Sequence, residues 1–344
     1  MNQITLDNIN NLTDIQLSQL LHTLIKLEAE KYELQEWDRS VPFNITTADA
    51  GSDGKIVWNG TPPSTKWIKN KFTIYQNKAT DLIPSQCKEE ILEKPKEGEA
   101  KRKLKAQIEK LVKANGCYVL FNNRAIVDEG KDERIKKFRE AIQEAGHTNY
   151  DTFQILIYDS NLIKDWTNEH IGSVTLVQSF NGISRPLGFT IWEQWEQLTN
   201  ASENEFKTDD IIKNNIDLLQ KNIKIEKVIR ITGHSGLGKT RLVLEAFRGL
   251  DICKSIVYYN LEGSLDISEL RNYLLSHTEN QEGIIVVDNC DIKSHSILSA
   301  IVKAIGKIKI ITIGLDDSNA IQDLKIRLKE ISKEKLLKKS FKLK

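Results

Sequence analysis

From Glu226 to Arg241 the chain reads Glu-Lys-Val-Ile-Arg-Ile-Thr-Gly-His-Ser-Gly-Leu-Gly-Lys-Thr-Arg. Few stretches limit a fold as tightly. A β-run, Val228 to Ile231, leads into Gly-x-x-x-x-Gly-Lys-Thr from Gly233 to Thr240, and a helix-forming segment follows from Arg241 to Phe247. Strand, glycine loop and helix in that order are the context in which the pattern is a phosphate-binding Walker A loop. Gly233, Gly236 and Gly238 let the backbone curl until its N–H groups and the helix N-terminus face an anion. Lys239 can reach β- and γ-phosphate oxygens, and the Thr240 hydroxyl can ligate Mg²⁺. These residues predict a nucleoside triphosphate site, for ATP with Mg²⁺.

The rest of the second half fits the loop. Lys254 to Asn260 reads as a strand, Ile267 to His277 as a helix, and Gly283 to Asp288 as a buried strand ending in an acid. A helix from Ser296 to Ile305 and a strand from Lys309 to Gly314 follow. Alternating βα units imply a parallel sheet, with the nucleotide at the carboxyl ends of its strands. Asp288, at such an end, reads as the Walker B acid that joins Thr240 in holding Mg²⁺. Many nucleotide hydrolases of this kind place Glu next. Here Asn289 stands there and cannot act as a base. Asp291 is one candidate replacement, and Asp316-Asp317-Ser318 offers others. Hydrolysis is expected to be slow, or ATP acts as a switch ligand by differential binding.

The first half is organised differently. Apolar residues at helical spacing run from Leu12 to about Trp37, followed by a β-hairpin from Val41 to Trp58 with acidic glycine turns. A strand from Lys71 to Thr80 carries Gln76 and Lys78 on one face, since side chains alternate. Asp53, Gln76 and Lys78 together form a candidate catalytic site. Asp53 and Gln76 would supply oxygens to a Mg²⁺ ion that activates water and clamps a scissile phosphate. Lys78 would neutralise developing charge. Gln-x-Lys alone is too short to carry the assignment, and Gln76 offers a neutral oxygen where a carboxylate is commoner. Glu99-Ala-Lys101 competes, but the charged tract from Lys88 to Lys113 reads as solvated surface. Trp192 and Trp195 read as closing this domain, and the polar run from Leu198 as a linker. The expected domains are therefore residues 1–200 and 201–344, both α/β.

Two resemblances sharpen these readings. Ala-Asp49-Ala-Gly-Ser-Asp53-Gly-Lys-Ile followed by Ile-Tyr-Gln76-Asn-Lys78-Ala-Thr resembles the restriction-endonuclease-like, PD-(D/E)xK domains of the Mrr-like group, many of which carry Gln at this place. The runs Cys117 to Asn122 and Phe153 to Asn161 look like later strands of such a domain. The segment Asn161 to His170 resembles one found in nuclease domains fused to antiphage NTPases, with Trp166 and His170 as packing residues. In that group an acid on the first helix often completes the metal site, and Glu28 or Glu30 stands there. The P-loop with Val-Val-Asp288-Asn-Cys-Asp291 resembles the antiviral (Avs-type) STAND NTPases over about residues 205–320. The arginine usual after their fourth strand is replaced by Gly314-Leu-Asp-Asp-Ser, and their winged-helix and repeat segments are not seen. The resemblance then implies a fragment, or a sensor supplied by another protein.

Composition leaves these expectations room. The net charge is +1 and 28% of residues are charged, so any nucleic-acid surface must be local. The basic tail from Lys325 to Lys338 could bind DNA phosphates but reads more simply as a solvated terminal helix. Cys87, Cys117, Cys253 and Cys290 lack metal-site spacing and read as free thiols. No signal peptide or membrane-length apolar run is visible, so a cytoplasmic protein is expected. The combined expectation is an ATP-regulated, Mg²⁺-dependent endonuclease acting on double-stranded DNA. The resemblance implies assembly into homo-oligomers and antiphage defence, with a phage protein as trigger. Two rivals stand beside it: a switch whose first domain binds without cutting, and a restriction or repair enzyme driven by continuous ATP turnover. Asn289 argues against the second.

Overall fold

The computed structural model describes residues 3–40, 53–94, 101–183, 188–200, 206, 208–261, 267–276, 280–315 and 324–327. The chain divides into two compact α/β units, Gln3–Ile183 and Ser184–Lys344.

In the first unit α1 (Leu6–Asn10) and α2 (Asp14–Lys31) precede three strands, β1 (Gln35–Ser40), β2 (Gly54–Asn59) and β3 (Phe72–Lys78). Thr13 and Gln16 open α2 with a capping box, Gln16 Oε1 accepting from the Thr13 N–H at 2.9 Å. The helix stops before the expected Trp37, because Glu33 takes a left-handed turn (φ 49°) that sends the chain into β1, where Trp37 lies. After β3 come α3 (Cys87–Ile91), α4 (Ala106–Lys113), β4 (Cys117–Asn122), α5 (Asp128–Glu144), β5 (Gln154–Tyr158), α6 (Ser160–Thr167) and α7 (Ile171–Phe180). The sheet order is β1-β2-β3-β4-β5, with β1, β2 and β3 antiparallel and β3, β4 and β5 parallel.

Helices cover both faces of this sheet. Leu17, Leu20 and Leu24 of α2 pack with Tyr75, Val119 and Phe121. On the other face Cys87, Ile108 and Phe138, from α3, α4 and α5, pack with Ile74, Tyr118 and Leu120. β4, buried along its whole length between the two layers, has the continuous apolar character such a strand requires. Alternation along β3 is the decisive detail: Tyr75 and Asn77 face α2, where Asn77 Nδ2 donates to Ser18 Oγ at 2.8 Å, whereas Gln76 and Lys78 face the α3–α5 side.

The second unit opens with β6 (Thr190–Ile191) and α8 (Trp192–Asn200), then α9 (Asp210–Ile225), β7 (Val228–Thr232), α10 (Lys239–Phe247), β8 (Ile256–Asn260) and α11 (Ile267–Leu275). It closes with β9 (Glu282–Asp288), α12 (Ile292–Ala304), β10 (Lys307–Gly314) and β11 (Leu324–Arg327). Among the described residues the sheet order is β11-β7-β10-β9-β8-β6, parallel throughout except for β6. This corrects the boundary expected at residue 200. β6 pairs with β8, and Trp192 and Trp195 lie in the core of the second unit, so residues 188–200 belong there. The start of the tail is corrected too, since Lys325 to Arg327 lie in β11, a strand paired with β7, while the tail from residue 328 lies outside the described residues.

All four cysteines are free and buried, and burial pushes the Cys87, Cys117 and Cys290 thiols up to about 12. These three are packing residues, with thiols that stay protonated near neutral pH. No helix among the described residues is long and apolar enough to cross a membrane.

Candidate functional site

The glycine loop leaves β7 at Thr232 and enters α10 at Lys239. Gly236 (φ 80°) and Gly238 (φ 76°) take left-handed backbone that side chains resist, and Gly238 is the N-cap of α10. Lys239 Nζ donates to the Gly233 and His234 carbonyls at 2.9 and 2.8 Å, so the lysine closes its own loop. Burial draws the Lys239 ammonium below its ordinary range, with Asp288 opposing. Thr240 Oγ1 donates to Asp288 Oδ2 at 2.6 Å. The two residues expected to hold Mg²⁺ are thus in contact, although they come from α10 and β9. Hydroxyl and carboxylate oxygens are the donors Mg²⁺ takes, so this pair fits the ion.

A residue missed in the sequence completes the cluster. Tyr258, on β8, donates its hydroxyl to the same Asp288 Oδ2 at 3.0 Å. Trp195 of α8 stacks on the Tyr258 ring with centroids 4.7 Å apart. Trp192 packs edge-on against Trp195.

Of the substitutes for a catalytic Glu, Asp291 is engaged elsewhere. Asp291 is the N-cap of α12, accepting from the Ser294 N–H at 2.7 Å, and that bond holds its carboxyl below the usual range. A carboxylate so committed is a weak base. Asn289 has a left-handed backbone (φ 52°), which Asn tolerates, and its amide donates to Asn260 Oδ1 at 2.8 Å. Asp316, Asp317 and Ser318 lie outside the described residues.

In the first unit Asp53 precedes β2, and its N–H donates to the Tyr75 carbonyl at 2.9 Å. Its Oδ2 accepts from the Asn77 N–H at 2.7 Å and from the Gln76 side-chain amide. Asp53 and Gln76 therefore meet as expected. Gln76 does so through its N–H₂ end. Lys78, two residues along on the same face, pairs with Glu90 Oε1 of α3 at 2.9 Å. Lys105, at the N-cap of α4, is half-buried; burial lowers its pKa, and Glu90, Lys78 and Asp53 all act on it. Glu90 and Lys105 come from the tract read as solvated surface, which is a correction. Cys87 and Ile91 bury one side of α3 and bring Glu90 inward with them.

Among the described residues no cluster of three or more His, Cys, Asp or Glu has metal-holding geometry. The oxygens of Asp53, Gln76 and Glu90 still suit Mg²⁺, which binds through one or two carboxylates and keeps several waters. Glu28 does not join them. It is fully buried on the α2 face of the sheet, opposite to Gln76 and Lys78, and accepts from the Trp67 N–H at 2.9 Å. Burial pushes its carboxyl up, opposed by the Thr65 hydroxyl and the Trp67 N–H. Asp49 lies outside the described residues. Trp166 and His170 are buried, with Trp166 stacked on Trp67 at 5.5 Å.

No family model and no curated protein matches the chain. Among solved structures it is similar to PCH-2 from C. elegans, at 17% identity over 35% of this chain and 40% of that one, with a TM-score of 0.24. It is also similar to NtrX from Brucella abortus in complex with ADP, at 12% identity over 61% of this chain and 46% of that one (TM-score 0.26). The NtrX complex with ATP gives 10% identity over 62% and 47% (TM-score 0.26). The chain spans less than half the length of each. At these scores the likenesses carry no weight, and the P-loop α/β fold of the second unit rests on its own strand order and loop geometry.

Proposed function

We propose that this chain is a nucleotide-controlled, Mg²⁺-dependent endonuclease acting on double-stranded DNA. ATP binds at the loop from Gly233 to Thr240. Lys239 exchanges its two carbonyl partners for phosphate oxygens, and the loop N–H groups and the α10 N-terminus face the phosphates. Thr240 and Asp288 hold the accompanying ion. Because Asn289 serves a turn and Asp291 a helix cap, the nucleotide acts mainly as a switch ligand, and its hydrolysis is slow.

One observation carries the endonuclease reading: Asp53, just before β2, contacts Gln76 of β3, and Lys78 lies two residues further along the same face of that strand. Mg²⁺ held there would lower the pKa of a water and neutralise phosphate charge. Asp53 and Gln76 supply oxygens, and the Lys78 ammonium faces the charge that grows on the phosphoryl oxygens. A water oxygen bonds to phosphorus as one P–O ester bond breaks. The water gives up a proton, and the departing alkoxide takes one up. The resemblance to Mrr-like nucleases and antiviral STAND NTPases supports extending this to oligomers that bring nuclease sites together. It likewise supports antiphage defence, with a phage protein or a separate sensor as trigger.

The test is plasmid cleavage by the full chain with ATP and either Mg²⁺ or Mn²⁺, compared with Lys78→Ala, Lys239→Ala and EDTA. Metal-dependent cutting lost in both variants is expected. Wild-type silence under every metal and nucleotide condition would sink the reading. A second reading, a nucleotide switch whose first unit binds DNA without cutting, is favoured by the Gln76 amide turning its N–H₂ end to Asp53. Retarded DNA that stays intact would select it.

A further inference from the structure

β3 bears an amide at 76, where a strand-borne metal site would gain from an acid, and that amide is engaged with Asp53. Glu90 reaches the same face from elsewhere. Cys87 and Ile91, fully buried, anchor α3 against Tyr118 and Leu120. Glu90 lies three residues after Cys87, on the inward side of the helix. Its side chain is 18% exposed and meets Lys78 Nζ at 2.9 Å.

Two groups from other elements lie within the fields of both acids. Glu90 and Asp53 both raise the buried Tyr118 phenol, after burial itself, and both act on half-buried Lys105. The geometry agrees: Glu90 reaches Lys78, and Asp53 reaches Gln76, two residues earlier on the same face of β3.

We propose that Glu90, carried by α3, is the second carboxylate of the Asp53–Lys78 site and stands in for the acid missing at Gln76. The inference rests on the endonuclease reading. It places two negative and two positive side chains around the scissile phosphate. It also makes the site depend on a helix that no strand motif reveals.

A transplanted carboxylate tests it. Full-length chains with Glu90 intact, with Glu90→Gln, and with Gln76→Glu plus Glu90→Gln are prepared on a Thr240→Ala background, without nucleotide, so that the second unit, left with Asp288 alone, competes only weakly for the ion. Mn²⁺ affinity is measured by calorimetry. Plasmid nicking is followed in parallel with Thr240 intact. Losing a ligand carboxylate should weaken Mn²⁺ binding by at least about 10-fold, the lower end of what altered metal shells cost. The double variant, with its acid count restored, should recover to within about 3-fold of wild type, and nicking should follow the same order. Wild-type affinity and nicking in Glu90→Gln would overturn the inference while leaving the endonuclease reading intact. So would a well-folded double variant that recovers neither. A wild type that neither binds Mn²⁺ nor nicks would overturn both. Should Glu90→Gln fail to fold, Glu90→Asp keeps the charge one carbon back; reduced Mn²⁺ affinity supports the proposal, and unchanged affinity refutes it.

Discussion

The Tyr258 hydroxyl donates to Asp288 Oδ2 at 3.0 Å, the same oxygen that takes the Thr240 proton at 2.6 Å. A phenol on β8 therefore holds the acid of β9 in place while the threonine of α10 remains able to turn. Tyr258→Phe removes that restraint with little change of volume. One hydrogen bond to a charged group is worth about 1.5–3 kcal/mol. Calorimetry should show Mg²⁺–ATP binding weakened by about 10-fold, with ATP binding in EDTA unchanged. An equal loss in EDTA would mean that Tyr258 acts on the loop and not on the acid.

Lys239→Ala removes the cation that bonds to the loop carbonyls of Gly233 and His234. ATP affinity should fall by about 10- to 100-fold, the equivalent of a lost charge-assisted contact. Thermal stability should change little, because among the described residues Lys239 Nζ bonds only to two carbonyls of its own loop. A binding isotherm and a melting curve on the same sample separate the two effects.

The loop was legible in the sequence because its physics is local. Gly236 and Gly238 set their own backbone, and the following helix starts where Lys239 stands. Asp288 was legible because an apolar strand ending in an acid needs no distant partner to be recognised. Glu90, Lys105 and Tyr258 were not. Their roles depend on which side of α3 is anchored by Cys87 and Ile91, on where the chain enters α4, and on β8 lying beside β9. None of these leaves a periodic trace. Trp192 and Trp195 were assigned to the wrong unit because β6 is only Thr190–Ile191, too short to announce itself before it pairs with β8.

Asn289 supplies a prediction about backbone. Its φ of 52° is tolerated by Asn and free for Gly, while a left-handed Ala costs about 1–2 kcal/mol. Asn289→Ala should lower the unfolding free energy of the second unit by about that amount, and Asn289→Gly by less. Denaturant unfolding with a Trp signal distinguishes them, and equal losses would assign the effect to the Asn260 contact instead.

Glu28 supplies one about pH. Burial raises its pKa in the folded chain above the unfolded value, so between the two values the folded state binds more protons. The stability linked to this group is fully present below the unfolded pKa and is lost as pH rises through the folded one. Glu28→Gln keeps an acceptor for the Trp67 N–H and removes the charge. It should gain stability relative to wild type as pH is raised from about 4 to 7. A gap between the two proteins that is flat across that window would refute the assignment.

Gly314 ends β10 where an added Cβ would stand 2.3 Å from the Cys290 carbonyl oxygen and 2.5 Å from the buried Arg230 guanidinium. Gly314→Ala must push backbone or a buried cation aside, at about 1–3 kcal/mol for overpacking. The melting temperature of the second unit should fall, and because Cys290 follows closely on Asp288, nucleotide affinity should fall with it.

The Trp195 ring lies parallel to the Tyr258 ring within 12°, and Tyr258 in turn touches the acid of the nucleotide site. An indole so placed is an optical probe built into the chain. Its emission should respond to the polarity and hydrogen bonding of the phenol beneath it, so that filling the site is expected to change the fluorescence of unlabelled protein. Trp195→Phe would silence that signal, and Trp192, packed edge-on against Trp195, would then report only on the fold of the surrounding core.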